Sequence, residues 1–329
     1  MFTIVSVILG LILFVYLVRQ VGPEDIYTCV SDVGSGFILI IVLSATRPMI
    51  RSWAWLRVMT TEERKVGFYE VWRARLIGDA MGNLTTAGPL VAEPFRIKSL
   101  SGKLPLVAGI SSLTVETLIY AISSCGMVLA GTILFLNTFA MSESLQVASL
   151  IALSSILLIV VATVVVVTKR QFLISGLGVR LDLTLKLMRL NIRLEQQVEY
   201  LARLDKRIFD LYAQRSADFF LVLLCQALFH LAGIAETYIT LYLIGSNPTL
   251  QAAFIFEAIN RAVNIAFNFI PARLGVDEAG SGLLAPTLGM GASVGVTLAI
   301  LRKARVLFWS ALGLLLLANA ARTRAHVQL

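Results

Sequence analysis

The segment IPARLGVDEAG, residues 270–280, places one arginine and two carboxylates between long apolar stretches. A second segment, GPLVAEPFR at residues 88–96, also combines proline, glutamate and arginine beside apolar sequence. Charge at membrane depth is costly, so such residues usually mark a functional site. Two helix-breaking segments in corresponding halves of a membrane protein are typical of a binding site built from discontinuous helices. We therefore predict that the two segments contribute to one site.

The composition around these segments predicts an all-α polytopic membrane protein. Hydrophobic residues make up 57% of the 329 positions, charged residues make up 15%, and the mean hydropathy is +0.83. Several apolar runs approach or exceed the roughly 20 residues that an α-helix needs to cross a bilayer. The strands of a membrane barrel would instead alternate apolar and polar residues over about 10 positions.

Five apolar runs are candidate spans, and they cover residues 2–18, 34–56, 104–136, 147–168 and 219–244. The run at 104–136 must be tilted, bent or split, because a helix of its length exceeds the bilayer thickness. Arg47-Pro48 predicts a kink or an early end in the second run. With the charged segments included, we predict about eight membrane segments, two of them re-entrant or broken, related by an inverted repeat.

The chain is predicted to be a single integral membrane domain with two halves, about 1–168 and about 216–329. An amphipathic helix over about 169–215 separates them, since its leucines recur at three- and four-residue spacing. This helix either lies on the bilayer surface or docks a partner helix. Residues 68–81 also mix apolar and charged side chains, and this pattern predicts an interfacial helix.

Lysine and arginine orient the chain. Residues 57–103 hold eight Lys/Arg and residues 169–215 hold ten, so both regions are placed in the cytoplasm by the positive-inside rule. The same rule places both termini in the cytoplasm. The cluster Arg302, Lys303 and Arg305 fits neither side. It belongs either to a water-filled vestibule within one long helix or to an external loop between two spans.

Several classes of chemistry lack their sequence signals. The histidines, His230 and His326, are far apart, the three cysteines are isolated, and no P-loop or nucleophile elbow is present. We therefore expect no catalytic residue, metal site or cofactor, and no enzymatic activity. The basic regions contain no nucleic-acid-binding motif, so no nucleic-acid partner is expected.

The two charged segments supply the first candidate binding residues. Glu93 and Arg96 would contact a ligand from a broken helix, or they are solvated charges of an ordinary cytoplasmic loop. Arg273, Asp277 and Glu278 would do so from the second segment. The alternative for the two acids is N-capping of a helix that begins near residue 279, where the helix dipole favours negative charge.

Acids within apolar runs supply the remaining candidates. Glu257 and Arg261 are four residues apart, so they share a helix face and can form an ion pair. That pair is either structural or a substrate contact. Glu116 and Glu236 each stand near the middle of an apolar run, where a glutamate tends to line a pathway or to bind a partner charge.

These residues resemble a known family. Residues 93–96, EPFR, are similar to a Gly-Glu-Pro-x-Arg motif of the flippase-like integral membrane family named for the transmembrane region of lysylphosphatidylglycerol synthase, with Ala92 in place of glycine. Residues 271–279 are similar to its Pro-x-x-x-Gly-x-x-Glu-Ala motif. Features at 233–238 and 302–305 look like those of its hopanoid-gene-cluster branch. Glu116 occupies the place of a Glu-Arg pair with a nearby Asp in many members. Thr117 and Tyr120 stand here instead of that Arg and Asp.

The resemblance implies an inverted-repeat domain in a bacterial inner membrane that binds lipid headgroups and moves lipids between leaflets. Glu93 and Glu278 would then bind a headgroup or a coupling proton, and Arg96 and Arg273 would contact phosphate. One alternative is a non-transporting accessory or regulatory protein for a lipid or cell-envelope synthase, docked through the helix at 169–215. Another is an intramembrane enzyme acting on a lipid. Membrane lipids are the expected partners, and a homo-oligomer is left open.

Overall fold

The computed structural model describes residues 22–85, 88–138, 206–267 and 273–327, together with Tyr16, Arg19, Leu204 and Ile270. Its helices are α1 (Pro23–Val33), α2 (Gly36–Val58), α3 (Phe68–Asn83), α4 (Gly88–Ser99), α5 (Leu106–Thr138), α6 (Ser216–Leu243), α7 (Leu250–Ala266), α8 (Val276–Thr287) and α9 (Ala292–Val327). No strand occurs in these ranges, which confirms the all-helical prediction. The predicted spans at 2–18 and 147–168, and most of the helix predicted at 169–215, lie outside them.

Three of the described helices are long and apolar enough to cross a membrane. They are α2, α5 and α6, with 23, 33 and 28 residues. Helix α2 continues through Pro48, so the proline does not end it. Helix α5 is one unbroken helix, roughly 50 Å long at 1.5 Å per residue. A split of the run at 104–136, one of the three predicted alternatives, is therefore wrong. A tilted or bent helix stays the prediction.

Helix α3 lies inside the helical body, and its predicted interfacial position is wrong. Val71, Leu76 and Ile77 are at most 2% exposed, and Arg75 is 1% exposed. Helices α2, α4 and α9 pack around it. Glycines make the close approach possible, since a β-carbon at Gly313 of α9 would lie only 2.4 Å from the Leu76 carbonyl oxygen. Arg75 and Asp79 of α3 therefore face an internal polar region, whereas Glu70 and Arg73 pair near the surface.

Apolar side chains pack in three clusters at the crossings of the helices. One joins α6, α7 and α9 through Leu241, Ile255 and Leu298. The other two join α2 to α3 and α5, and α2 to α5 and α6. Trp55 anchors one of these, and its indole N–H donates to Ser112 Oγ at 3.1 Å. The clusters leave a polar region between α2, α3, α5, α7 and α9.

Helix α9 settles the position of the basic cluster. It runs from Ala292 to Val327 without interruption, and Arg302, Lys303 and Arg305 all lie within it. Their side chains line an internal cavity. The prediction of one long helix is therefore confirmed, and the alternative of an external loop between two spans is wrong.

A bidentate ion pair ties the turn after α2 to the segment before α6. Arg207 donates to both carboxylate oxygens of Glu63 at 2.7 Å, and the Thr60 amide donates to Glu63 Oε2 at 2.8 Å. Burial of Glu63 opposes its ionisation, but these hydrogen bonds outweigh that effect and lower the pKa of Glu63 below its usual value of 4.5. The ionised form of Glu63 therefore stabilises the folded protein.

We expect Glu63→Gln to remove part of the acid sensitivity of this protein. Because the folded pKa of Glu63 is lower than the unfolded pKa, its contribution is complete above the unfolded value and is lost as pH falls through the folded value. The contribution is about 1 kcal/mol for a bidentate, partly buried pair. Unfolding in detergent between about pH 6 and about pH 3.5 should show a shallower slope for Glu63→Gln. Glu62→Gln, which removes an exposed partner of Lys65, is the control, and equal slopes for the two variants would contradict the prediction.

Candidate functional site

A cavity of about 450 Å³ lies between the helices, and we call it the central cavity. Residues of α2, α3, α4, α5, α7, α8 and α9 line it. Its charged lining residues are Arg47, Arg51, Asp79, Glu93, Arg96, Arg273, Asp277, Arg302, Lys303 and Arg305. A second cavity of about 250 Å³ shares Arg47, Arg51, Asp79 and Arg305 with it. Both charged segments singled out in the sequence thus reach one cavity.

The first segment forms helix α4, which continues through Pro94. Glu93 lines the central cavity, and among the described residues it has no salt-bridge partner. Arg96 is 8% exposed and pairs with Asp79 of α3. A β-carbon at Gly78 would lie 2.3 Å from Arg96 Cγ, so this glycine makes room for the arginine. The loop alternative is therefore wrong for residues 88–96, because they are helical and Arg96 is buried in an ion pair, whereas Glu93 is partly exposed.

The second segment makes a tight turn before α8. Arg273 has φ +48° and Gly275 has φ +78°, and α8 begins at Val276. Asp277 and Glu278 occupy its first turn, but neither side chain caps the helix. Lys303 of α9 instead donates to Glu278 at 2.8 Å and to Asp277 at 3.4 Å. The two acids therefore stand in the first turn of α8, where the helix dipole favours negative charge, but they do not cap it and instead hold a cation of the cavity wall. The helix begins at Val276 and not near residue 279 as predicted.

Glu257 is the centre of an ion-pair network on one side of the cavity. It is 2% exposed. Arg261 donates to it at 3.0 Å, Arg47 at 3.1 Å and Arg302 at 3.4 Å. The pairing with Arg261 confirms the expectation from their four-residue spacing. Arg47 and Arg302 connect this pair to the cavity, where both side chains form part of the wall.

Glu236 lies beside this network and contacts Arg305, with Arg47 at 3.6 Å. His230 lies earlier on the same helix, and its ring forms a hydrogen bond with Ser123 Oγ at 3.1 Å. Glu236 is therefore a buried counter-ion for two arginines. It is not among the residues that line the central cavity.

Glu116 holds a second group of charges and is fully buried. Arg51 donates to both of its oxygens at 2.9 Å, and Arg75 donates at 3.1 Å. Its neighbours Thr117 and Tyr120 line the cavity, where the Arg51 guanidinium lies 3.7 Å from the centre of the Tyr120 ring. Partner cations for Glu116 thus come from α2 and α3 and not from its own helix.

Several residues that form the site are not among those predicted from the sequence. Arg47 and Arg51 were not treated as ligand residues, although two arginines four residues apart in an apolar run carry the same signal as Glu257 and Arg261. Asp79 and Arg75 were assigned to an interfacial helix. Within the described ranges, no group of three or more His, Cys, Asp or Glu residues is placed to hold a metal ion. The cavity wall therefore presents mainly guanidinium and ammonium groups, and most of their carboxylate partners lie behind it.

Comparison with known proteins gives one match. The family model described as the lysylphosphatidylglycerol synthase transmembrane region matches residues 3–313. No curated protein and no solved structure matches the chain.

Proposed function

Since this chain belongs to the lysylphosphatidylglycerol synthase transmembrane-region family, we propose that it binds a lipid headgroup in the central cavity and moves the lipid between leaflets. The family places it among membrane proteins related to lipid synthesis or transport. The proposed location is a bacterial inner membrane, with both termini in the cytoplasm. The proposed assignment to the hopanoid-gene-cluster branch rests on the sequence features alone.

One observation carries the proposal: the two charged segments, far apart in sequence, line the same cavity inside a helical membrane protein. Helices α4 and α8 have 12 residues each, about 18 Å at 1.5 Å per residue, which is shorter than the bilayer core. Short helices that end at a central site are typical of transporters with discontinuous segments. They support two re-entrant or broken segments within about eight, arranged as an inverted repeat.

The proposed roles follow from the contacts. Arg96 and Arg273 line the cavity and would bind phosphate oxygens, for which guanidinium groups are well suited. Glu93 would bind a donor of the headgroup or a coupling proton, since it reaches the cavity without a salt-bridge partner in the described chain. Glu278 is fully buried against Lys303, so its proposed role is to position that lysine.

We expect Glu93→Gln to lower lipid translocation about tenfold, the loss of one charge-assisted contact in the binding site. The protein would be reconstituted in proteoliposomes, and the leaflet accessibility of labelled anionic, zwitterionic, cationic and polyprenyl lipids would be followed with and without a pH gradient. Because Glu93 gives up no ion pair, its variant should fold normally. Glu62→Gln, an exposed carboxylate far from the cavity wall, is the matched control and should transport as the wild type does.

Failure to move any lipid under all gradients would contradict the transport proposal. The accessory role for a lipid or envelope synthase would then take its place, with docking through residues 169–215. That segment lies mostly outside the described residues, so this partner stays a prediction. The expectation that the chain is not an enzyme also stays a prediction.

A further inference from the structure

We infer that the central cavity selects a headgroup with net negative charge, a phosphate without an accompanying ammonium group, and that Arg302 is its anchoring residue. The inference deepens the proposed function and rests on it for the lipid source of that phosphate. It depends on three features of the wall. These are its mainly positive charge, the small number of buried carboxylates that its arginines share, and the buried donors without a hydrogen-bond partner in the described chain.

The wall of the central cavity is mainly cationic. Its seven cations are Arg47, Arg51, Arg96, Arg273, Arg302, Lys303 and Arg305, and its three acids are Asp79, Glu93 and Asp277. Low-dielectric walls strengthen the field of such charges inside a cleft and raise the local concentration of the opposite charge. The cavity should therefore attract anions.

The carboxylates behind the wall do not neutralise these cations. Glu236 and Glu257 together face four arginines, which are Arg47, Arg261, Arg302 and Arg305. Glu116 alone faces Arg51 and Arg75. These two groups together hold three more positive charges than negative ones. An unmatched charge in a low-dielectric site is expensive, so a bound anion stabilises this arrangement.

The rest of the network is balanced. Arg96 pairs with Asp79, while Arg273 and Lys303 face Asp277 and Glu278. The surplus positive charge is therefore local: it lies where Arg47, Arg51, Arg302 and Arg305 meet the cavity. Of the three acids in the wall, Glu93 is the one without a counter-ion in the described chain. The surplus charge favours anchoring of a phosphate at the arginine-rich end, and Arg96 and Arg273, which already have counter-ions, are its secondary contacts.

Arg302 has the donor that this phosphate needs. Its Nη2 donates to Thr237 Oγ1 at 2.9 Å and lies 3.4 Å from Glu257, whereas its Nη1 is buried and has no hydrogen-bond partner among the described residues. Thr117 Oγ1, another cavity-lining group, also lacks a partner. Buried donors are nearly always satisfied, so an unpaired nitrogen on a guanidinium whose side chain lines the cavity points to a ligand acceptor. Phosphate oxygens fit the planar guanidinium better than other common headgroup acceptors.

The same wall discriminates against positive headgroups. A trimethylammonium or aminoacyl headgroup would add positive charge to a region that already has a surplus. Only Glu93 is free to compensate it, and a single carboxylate cannot offset the repulsion from the surrounding arginines. Specificity then comes from repulsion of the wrong charge as well as attraction of the right one.

The test is displacement of a fluorescent phosphatidylglycerol from the purified full-length protein in a neutral detergent. The competitors are phosphatidylglycerol, phosphatidylcholine, a trimethylammonium lipid and soluble glycerol phosphate. We expect phosphatidylglycerol to bind at least tenfold more tightly than phosphatidylcholine, and the cationic lipid not to compete. Arg302→Met should weaken phosphatidylglycerol binding about tenfold or more and reduce the preference for phosphatidylglycerol over phosphatidylcholine. Arg302→Lys keeps the charge and should show an intermediate loss, which guards against a folding defect in the Met variant.

Lys103→Met is the matched control, because it removes the same charge from an exposed side chain outside the cavity. Equal or tighter binding of phosphatidylcholine or the cationic lipid would overturn the inference, as would an Arg302→Met protein that binds like Lys103→Met. Displacement by glycerol phosphate as potent as that by phosphatidylglycerol would support anion selectivity and assign the phosphate to a soluble source. If an anionic lipid binds but is never translocated, the proposed transport alone is contradicted. If a cationic lipid is translocated in a Glu93-dependent way, the charge selectivity alone is contradicted.

Discussion

Glu257→Gln is expected to lower the free energy of unfolding by about 3–5 kcal/mol, the cost of removing one partner from a buried ion pair. The amide keeps the size of the side chain but not its charge. Arg47, Arg261 and Arg302 would then face one another, and among the described residues only Arg47 of the three keeps a salt bridge, to Glu236 at 3.6 Å. Among the described residues, Arg261 and Arg302 have no other salt-bridge partner, and the burial of Glu257 and Arg261 limits the screening of this repulsion by water.

The geometry around Glu257 also prevents relaxation. A β-carbon at Gly233 of α6 would lie 2.5 Å from Glu257 Oε1, so the carboxylate fits directly against that backbone. Arg261 is fixed from its other side by the Tyr120 hydroxyl, which accepts a hydrogen bond at 3.2 Å. The arginines therefore cannot move apart easily. The loss of stability comes from charge repulsion and not from lost volume. Anions that bind in the cavity should therefore restore part of the free energy of unfolding.

The measurement is unfolding of the purified variant in detergent, at neutral pH and low salt. Glu93→Gln is the matched control: it removes a carboxylate from the same cavity, but one that has no ion pair in the described chain, and it should unfold like the wild type. A Glu257→Gln protein as stable as Glu93→Gln would contradict the view that Glu257 compensates the three arginines.

Sequence reasoning identified this network only in part, for a clear physical reason. The pair Glu257–Arg261 follows from helix geometry, since residues four apart share a face. Arg47 lies 210 positions away in the chain, and no local pattern relates it to Glu257. Long-range partners of this kind depend on how α2 packs against α6 and α7, which periodicity does not encode.

The misplacement of α3 has a related cause. Its mixture of apolar and charged residues indicates that one side of the helix meets a polar environment. Periodicity does not distinguish the headgroup layer from a wet cavity inside the protein, because both satisfy charged side chains. Here Arg75 finds Glu116 and Asp79 finds Arg96, so the polar environment is the protein's own interior. The number of charges in 57–103 therefore overstates the basic surface of that region.

The convergence of the two charged segments was predictable because it rests on chemistry and not on packing detail. Proline, glycine and charge between apolar runs are tolerated at membrane depth only where protein or a wet cavity surrounds them. Both segments met that condition, and both line the central cavity. What the sequence could not provide was the role of each acid. Glu93 reaches the cavity freely, whereas Glu278 is fully buried and bound to Lys303.

Gly295→Ala is expected to lower the free energy of unfolding by about 1–3 kcal/mol, because one added methyl group meets immovable backbone. A β-carbon at Gly295 of α9 would lie 2.1 Å from the Ser281 carbonyl oxygen and 2.6 Å from its carbon. Both atoms belong to the main chain of α8, so no side-chain rotation relieves the contact. Helices α8 and α9 must separate to accept the substitution.

Separation of these helices should also alter the site. Asp277 and Glu278 stand in the first turn of α8, and Lys303 of α9 reaches Glu278 at 2.8 Å. A charge-assisted hydrogen bond of this length does not survive a displacement of about 1 Å. Lys303 would then lose its main partner, and Asp277 and Lys303 would move apart in the cavity wall. We therefore expect weaker phosphatidylglycerol binding in the same variant that unfolds more easily.

Gly126→Ala is the matched control for this prediction. It makes the same change within another long helix, α5, at a position where no other atom lies within 4 Å of the new carbon. Its stability should equal that of the wild type or exceed it by up to about 1 kcal/mol, the difference in helix propensity between glycine and alanine. Equal stability of the Gly295 and Gly126 variants would mean that α8 and α9 are not packed backbone to backbone. The cavity wall that Lys303, Asp277 and Glu278 form would then lose its structural basis.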